Sequence, residues 1–301
     1  MNETGEGTFC EVVLGCRSPF DFERILSFFR YRELAGVESV DDVSYARTVR
    51  LENAAGGELV GWMRVSEAQG EPGVVLRVGE SLSPAIDEVA KRVRRMFDLD
   101  CDPEIVHAAL APLEAAKPGC NVLGTRVPGA FDSFEIAVRA ILGQQVSVVA
   151  ANKIAARIAS EYGRPVDTGV PGLELLFPTA RDFLAMDPIE DALGRLGVIK
   201  TRSRTIRSLA ELVESGELSL DPAADVAVEM GRLIAVKGIG EWSQNYIAMR
   251  TLGYRDAFLE KDAGVKHALP GLEPKERSAL VEPCRPWRAY ANLCLWNSLS
   301  S

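Results

Sequence analysis

The chain has 301 residues, of which 47% are hydrophobic and 26% charged, and its formal net charge is −9. This composition is typical of a folded globular protein and disfavours a long disordered or low-complexity region. The longest uncharged runs are too short to cross a bilayer, and the acidic N-terminus does not match a signal peptide. We therefore expect a cytoplasmic protein with no membrane partner.

The acidic charge is concentrated in the first third of the chain. Residues 1–118 contain 21 acidic and 13 basic residues, whereas the remainder contains 22 and 21. A nucleic-acid partner usually requires a basic surface, and only the nearly neutral remainder leaves room for one. The six cysteines show no C-x-x-C spacing and there are only two histidines, so we expect no zinc or iron–sulfur site and no histidine-based mechanism.

Residues 1–115 are predicted to form an α+β domain. Four segments carry β-branched and aromatic residues between glycine-containing breaks, as antiparallel strands do. They are residues 9–16, 44–51, 58–66 and 73–79. Hydrophobic residues at helical spacing predict two helices, from Phe20 to Leu34 and from Pro84 to Phe97.

Helical periodicity then continues to the C-terminus, so residues 116–301 are predicted to be all-α. Proline just inside a helix start and glycine after its end mark several of the boundaries. The predicted helices, the first of which precedes the boundary, are 103–113, 131–143, 146–162, 178–185, 189–196, 200–216, 223–233, 241–252, 263–269, 274–282 and 287–298.

A short turn, Gly238-Ile239-Gly240, connects two of these helices. Glycine can adopt positive φ and lets another backbone come close, while Ile239 can fill the space between the helices. The N–H groups that open the following helix would then face outward and could hold a phosphate oxygen. A lone G-I-G is also a common helix end, so a simple C-cap is the alternative interpretation.

The surrounding residues resemble the helix–hairpin–helix (HhH-GPD) DNA glycosylase superfamily. The family pattern L-x-x-[IV]-x-G-[IV]-G is matched from Leu233 to Gly240, and Asp262 follows one helix later. Three further stretches resemble the alkylbase, or DNA-3-methyladenine glycosylase II (AlkA-like), branch. They are FEIAVRAILGQQVSVVAANKIAARIASEYG, GIGEWSQNYIAMR and RPWRAYANLCLW.

This resemblance implies an α+β domain over 1–115 and an all-α glycosylase region over 116–301, with the hairpin at 233–240 and a cleft between two helical subdomains. It also implies a monofunctional hydrolase that removes alkylated bases of the 3-methyladenine type from double-stranded DNA and leaves an abasic site. Such an enzyme needs no partner subunit, so we expect a monomer, associated with the nucleoid.

Asp262 is the expected catalytic residue. Breaking an N-glycosidic bond produces an oxocarbenium-like sugar, which needs a nearby anion and a positioned water. A carboxylate there could stabilise the cation and orient or deprotonate the water. The alternative is that Asp262 only caps the next helix, and the resemblance favours the catalytic role.

Three aromatic residues are the expected base pocket. A cationic alkylated purine is a good leaving group and is attracted to electron-rich rings by ~0.5 to 2 kcal/mol. Trp242 and Tyr246 lie four residues apart on one helix face, and Trp296 matches the other pocket aromatic of the family. Each one alone could equally be a core residue.

The resemblance also assigns two sets of DNA contacts. A base can reach such a pocket only after it flips out of the duplex, and the resemblance places the wedge that fills the gap at Gln144 or Gln145. Related proteins often have an apolar residue at the second of these positions. The DNA backbone is expected to bind the hairpin, which comprises Val236, Lys237, Gly238, Ile239 and Gly240, and its carbonyl groups could hold Na⁺ or K⁺.

Three other functions are open at this point. The first is an oxidised-base glycosylase on the same scaffold. The resemblance implies that relatives which also cut the DNA backbone carry a catalytic lysine just after the hairpin, where this chain has Trp242, and Lys237 and Lys261 are off that position. A non-catalytic helix–hairpin–helix DNA-binding module would use Asp262 as a cap only. A free-nucleoside hydrolase is the third alternative.

Overall fold

The computed structural model describes residues 8–52 and 57–299. The start of the predicted domain 1–115, residues 53–56 within it, and the end of the predicted region 116–301 therefore lie outside the described residues. The N-terminal strands are β1 Phe9–Gly15, β2 Glu38–Val40, β3 Ser44–Glu52, β4 Glu58–Glu67 and β5 Gly73–Gly79. They form one antiparallel sheet in the order β1-β5-β4-β3-β2. Four strands lie where the sequence predicts them, whereas β2 is too short to show alternation.

Two helices cover this sheet, α1 Phe22–Arg30 and α2 Ile86–Met96. The Asp21 side chain accepts a hydrogen bond from the Arg24 N–H at 2.9 Å, which caps α1. The apolar stripes of both helices pack on the sheet in one core. Both helices are shorter than predicted, because α1 ends at Arg30 and a 3₁₀ helix, Glu80–Ala85, precedes α2.

The regular elements in the rest of the described chain are helices, apart from a short ladder between β6 Arg164–Pro165 and β7 Leu175–Leu176. The predicted helix over 103–113 is divided in two. The helices are α3 Pro103–Ala109, α4 Ala111–Ala116, α5 Ser133–Leu142, α6 Val148–Tyr162, α7 Ala180–Leu184, α8 Ile189–Gly194, α9 Lys200–Glu214, α10 Val226–Ala235, α11 Glu241–Thr251, α12 Ala263–Ala268, α13 Pro274–Val281 and α14 Arg288–Asn297.

These helices form two packed groups. Helices α5 to α10 surround one core, and α3, α4 and α12 to α14 surround another. Helix α11 lies between them, since Ile247 belongs to the first core and Met249 packs with Leu293 of α14. The predicted domain boundary, between residues 115 and 116, lies at the end of α4, which packs with the C-terminal group.

A buried ionic network fixes the N-terminal domain to α5. Arg47 donates to Glu135 at 2.6 Å, and Arg139 donates to Glu135 at 2.8 Å and to Glu38 at 3.1 Å. Glu38 also accepts a hydrogen bond from the Tyr45 hydroxyl at 2.6 Å. Burial alone would raise the pKa of Glu135, but the two guanidinium groups hold it below its usual value. Separating the sheet from α5 would leave buried charges without their partners, which costs free energy. The sheet and α5 are therefore held in a single arrangement.

All six cysteines are free thiols, and four of them are buried. Within residues 8–52 and 57–299, no cluster of three or more histidine, cysteine or acidic side chains could hold a metal ion. Over the same residues, no helix has the length and hydropathy needed to cross a membrane.

Asp98 joins the end of the N-terminal domain to α14. It has a positive φ of 51°, and its Oδ2 accepts hydrogen bonds from the Tyr290 hydroxyl at 2.8 Å and the Val127 N–H at 3.1 Å. Loss of hydration raises the pKa of Asp98 to about 6, and these hydrogen bonds only partly oppose the effect. The native state therefore retains a proton that the unfolded chain releases at about pH 4.

Because of this proton, the contribution of Asp98 to the free energy of unfolding is lost as pH rises through about 6. We predict that Asp98→Asn gains stability relative to wild type between about pH 4 and pH 7, by at most ~3 kcal/mol. Urea unfolding at several pH values measures this difference. Parallel curves for wild type and Asp98→Asn would contradict the prediction.

Candidate active site

A groove of about 1680 Å³ runs where the N-terminal domain meets the two helical groups. Its walls include residues of α1, α5, α6, α11, α12 and α14, so the N-terminal domain and both helical groups contribute. The four residues predicted for catalysis and base binding all line it, and so do both candidate wedge residues. They are Asp262, Trp242, Tyr246, Trp296, Gln144 and Gln145.

Asp262 lies immediately before α12, and its carboxylate accepts four hydrogen bonds. Oδ1 accepts from the N–H groups of Gly264 at 2.8 Å and Val265 at 3.1 Å, which caps α12. Oδ1 also accepts from Trp296 Nε1 at 2.8 Å, and Oδ2 accepts from Trp242 Nε1 at 3.0 Å. The capping role considered from the sequence is thus present, together with two contacts that capping does not require.

Two aromatic pairs face the groove. Trp242 and Tyr246 stack with ring centroids 5.1 Å apart and planes 8° apart. Trp296 stacks with Phe28 of α1, with ring centroids 6.5 Å apart and ring planes 22° apart. The sequence did not identify Phe28, which lies one residue away from the apolar stripe of α1 and could have been noticed as an aromatic residue off the core face.

Two arginines complete this pocket and were also missed by the sequence reasoning. The Arg32 guanidinium carbon lies 3.7 Å from the Phe28 ring centroid, and that of Arg250 lies 4.8 Å from it. Arg250 donates a hydrogen bond to the Tyr246 hydroxyl at 2.8 Å. Burial would raise the pKa of Tyr246, but the neighbouring guanidinium groups, first that of Arg250, hold it below its usual value.

The hairpin has the geometry expected from its glycines. Gly238 has a φ of +99°, and a Cβ there would lie 2.1 Å from the Thr205 hydroxyl, so glycine is required twice over. Thr205 donates to the Lys237 carbonyl at 2.9 Å. Gly240 is the N-cap of α11, and no side chain caps the N–H groups there. These N–H groups remain available to an external acceptor.

The two candidate wedge residues differ in their environment. Gln144 Nε2 donates to the Gly238 carbonyl at 2.8 Å and to the Ser243 hydroxyl at 2.9 Å. Gln145 is exposed and has a positive φ of 55°, which is uncommon for a residue with a side chain. The first glutamine therefore joins the hairpin to the α5–α6 turn, and the second projects from that turn.

Two protein-family models match the chain. The model of the AlkA N-terminal domain matches residues 11–132, and the model of the HhH-GPD superfamily base excision DNA repair protein matches residues 138–278. The chain is 36% identical over 284 residues to DNA-3-methyladenine glycosylase 2 of Escherichia coli, covering 94% of this chain and 96% of that protein.

Solved structures share the fold. The 3-methyladenine DNA-glycosylase from Archaeoglobus fulgidus superimposes with a TM-score of 0.75 at 20% identity, covering 95% of this chain and 97% of that one. The 8-oxoguanine glycosylase/lyase of Clostridium acetobutylicum superimposes with a TM-score of 0.62 at 15% identity, covering 89% and 99%. At these identities the superpositions establish the fold, and the α+β domain followed by a helical region agrees with the prediction.

The absence of a side chain at Gly264 lets Trp296 approach Asp262. A Cβ on Gly264 would lie 2.7 Å from Trp296 Cδ1 and 3.1 Å from Asp262 Oδ1. We predict that Gly264→Ala lowers the free energy of unfolding by about 1–3 kcal/mol, because the indole must move and its hydrogen bond to the carboxylate breaks. Chemical denaturation measures the change, and the near-UV circular dichroism of tryptophan should also differ.

Gly231→Ala is the matched control, since Gly231 is also helical and nothing lies within 4 Å of its Cβ position. Alanine there should raise the free energy of unfolding by up to ~1 kcal/mol through helix propensity. Equal stabilisation by both substitutions would contradict the close packing inferred at Gly264.

Proposed function

Because the chain belongs to the HhH-GPD superfamily of base excision DNA repair proteins, we propose that it is a monofunctional DNA glycosylase acting on alkylated bases in duplex DNA. The observation that carries the proposal is the Asp262 carboxylate, held by two indole N–H groups at the floor of an aromatic groove. We further propose that it acts as a cytoplasmic monomer and leaves an abasic site.

The proposed mechanism uses the carboxylate as an electrostatic partner of the sugar. The four hydrogen bonds orient Asp262 before the substrate binds, so no reorganisation is needed as positive charge develops on C1′. The carboxylate also orients the water that attacks C1′ of the sugar cation. The base leaves as a neutral molecule when it was cationic, so the reaction needs no acid on the base side.

The two stacked pairs are proposed to hold the flipped base. The Trp242–Tyr246 pair and the Phe28–Trp296 pair offer aromatic faces to the groove. An electron-poor methylated purine stacks favourably on such faces. Trp242 and Trp296 thus have two roles, since their N–H groups hold the carboxylate and their faces meet the base.

The DNA contacts remain proposals supported by geometry. We propose Gln145 as the residue that enters the duplex, because it is exposed at the tip of the turn, while Gln144 stays bonded to the hairpin. The uncapped N–H groups near Gly240 are proposed to bind a phosphate. A Na⁺ or K⁺ ion at the hairpin would use the second lone pairs of carbonyl groups, since those of Lys237 and Gly238 each already accept one hydrogen bond.

The alternatives receive less support. For an oxidised-base glycosylase of the lyase type, an uncharged lysine would have to reach the sugar. Lys261 is bound to Glu241 at 2.7 Å, which raises the pKa of its ammonium group. A DNA-binding module without catalysis would have no use for a groove that ends in an oriented carboxylate.

We predict that the purified protein releases free methylated bases from alkylated duplex DNA and leaves undamaged DNA intact. Chromatography of the released bases measures this activity. Binding to the same duplex without base release would instead identify a non-catalytic module, and release from free nucleosides alone would identify a nucleoside hydrolase.

The absence of a lyase step is a separate expectation. We predict that borohydride in the presence of lesion-containing DNA gives no covalent protein–DNA complex, because no uncharged amine is held at the position of Trp242. Denaturing gel electrophoresis detects such a complex, and a trapped product that disappears in Lys261→Ala would overturn the monofunctional assignment.

A further inference from the structure

Two guanidinium groups occupy the same aromatic pocket that the proposed function assigns to a cationic base. Arg32 lies against the face of Phe28 and is 6.0 Å from the Trp296 ring centroid. Arg250 lies 5.6 Å from the Tyr246 ring centroid. A cation on an aromatic face occupies the position that a methylated purine would otherwise take.

Among the residues that the structure describes, no carboxylate forms an ion pair with either guanidinium group. Arg250 is 4% exposed, and its Nε is buried without a hydrogen-bond partner among the residues that the structure describes. Arg32 Nη1 makes a 3.3 Å hydrogen bond to the Phe28 carbonyl, and Arg32 forms no ion pair within the described ranges. Loss of hydration, together with the charges of Arg250 and Arg139, lowers the pKa of Arg32. The pocket therefore contains guanidinium N–H groups that can donate hydrogen bonds, and it carries an excess of positive charge.

Arg32 is held in place by the ionic network at the domain junction. Arg139, which binds Glu38 and Glu135, also donates a hydrogen bond to the Arg32 carbonyl. The Leu34 N–H donates to Glu38 at 2.9 Å. The N-terminal domain thus delivers this side chain to the groove from a fixed backbone.

We propose that Arg32 is a specificity-determining residue that favours neutral damaged bases carrying a carbonyl acceptor over cationic ones. A neutral base can stack on the Trp242–Tyr246 pair and accept a hydrogen bond from the guanidinium where it lies. A cationic base must displace the guanidinium from Phe28 and Trp296 against charge repulsion. This proposal rests on the proposed glycosylase function and identifies the substrate class of the same groove.

The test compares two substrates in wild type and Arg32→Met, which keeps an unbranched apolar stem but removes the charge and the donors. Hypoxanthine in duplex DNA is neutral and carries a carbonyl, whereas 3-methyladenine in methylated DNA is cationic and carries none. We expect the hypoxanthine:3-methyladenine ratio of single-turnover rates to fall about tenfold or more in Arg32→Met, since a hydrogen bond to a charged group is lost. Thermal denaturation and binding to abasic duplex should remain close to wild type.

Arg30→Met is the matched control, because Arg30 is the last residue of α1, two residues before Arg32, does not line the groove and pairs with Glu23 at 3.1 Å. It should leave the ratio unchanged. Equal loss on both substrates in Arg32→Met, or an unchanged ratio, would overturn the proposal for Arg32. Release of 3-methyladenine but not of hypoxanthine by wild type would also overturn it. Release of neither base by wild type would instead overturn the proposed function itself.

Discussion

The carboxylate of Asp262 is bound at once by three helices. Helix α12 contributes its first N–H groups, α11 contributes the indole of Trp242, and α14 contributes the indole of Trp296. The aromatic walls of the groove are oriented by the same two indole hydrogen bonds, so the position of the carboxylate and the shape of the pocket depend on each other. Close packing at Gly264 is what permits this arrangement.

A second constraint sets the charge of the pocket. The buried pairs between Arg47, Glu135, Arg139 and Glu38 join the sheet to α5, and through Arg139 they fix the backbone that carries Arg32. The N-terminal domain is therefore part of the groove, although its own sequence has no motif. Within residues 8–52 and 57–299 the two guanidinium groups pair with no carboxylate, so this pocket differs electrostatically from one lined by aromatic rings alone.

Most of the groove residues that could be predicted from the sequence lie close to one another along the chain. The hairpin, Trp242, Tyr246 and Asp262 lie within one local motif, and Trp296 was found because a second motif accompanies it. Phe28 and Arg32 could not be assigned to the groove, since only the packing of α1 against α14 brings them there. The edge strand β2 and the division of the helix over 103–113 were missed because short elements leave no periodicity.

The choice between a helix cap and a catalytic group at Asp262 is tested most directly by comparing Asp262→Asn with Asp225→Asn. Asp225 caps α10 through the N–H groups of Ala227 and Val228, and it lies outside the groove. Asparagine caps a helix about as well as aspartate, so both substitutions should keep the helix cap. Base release from methylated duplex DNA should fall at least ~100-fold in Asp262→Asn, as expected for loss of transition-state charge stabilisation, and stay near wild type in Asp225→Asn. Wild-type rates of base release in Asp262→Asn would contradict the account.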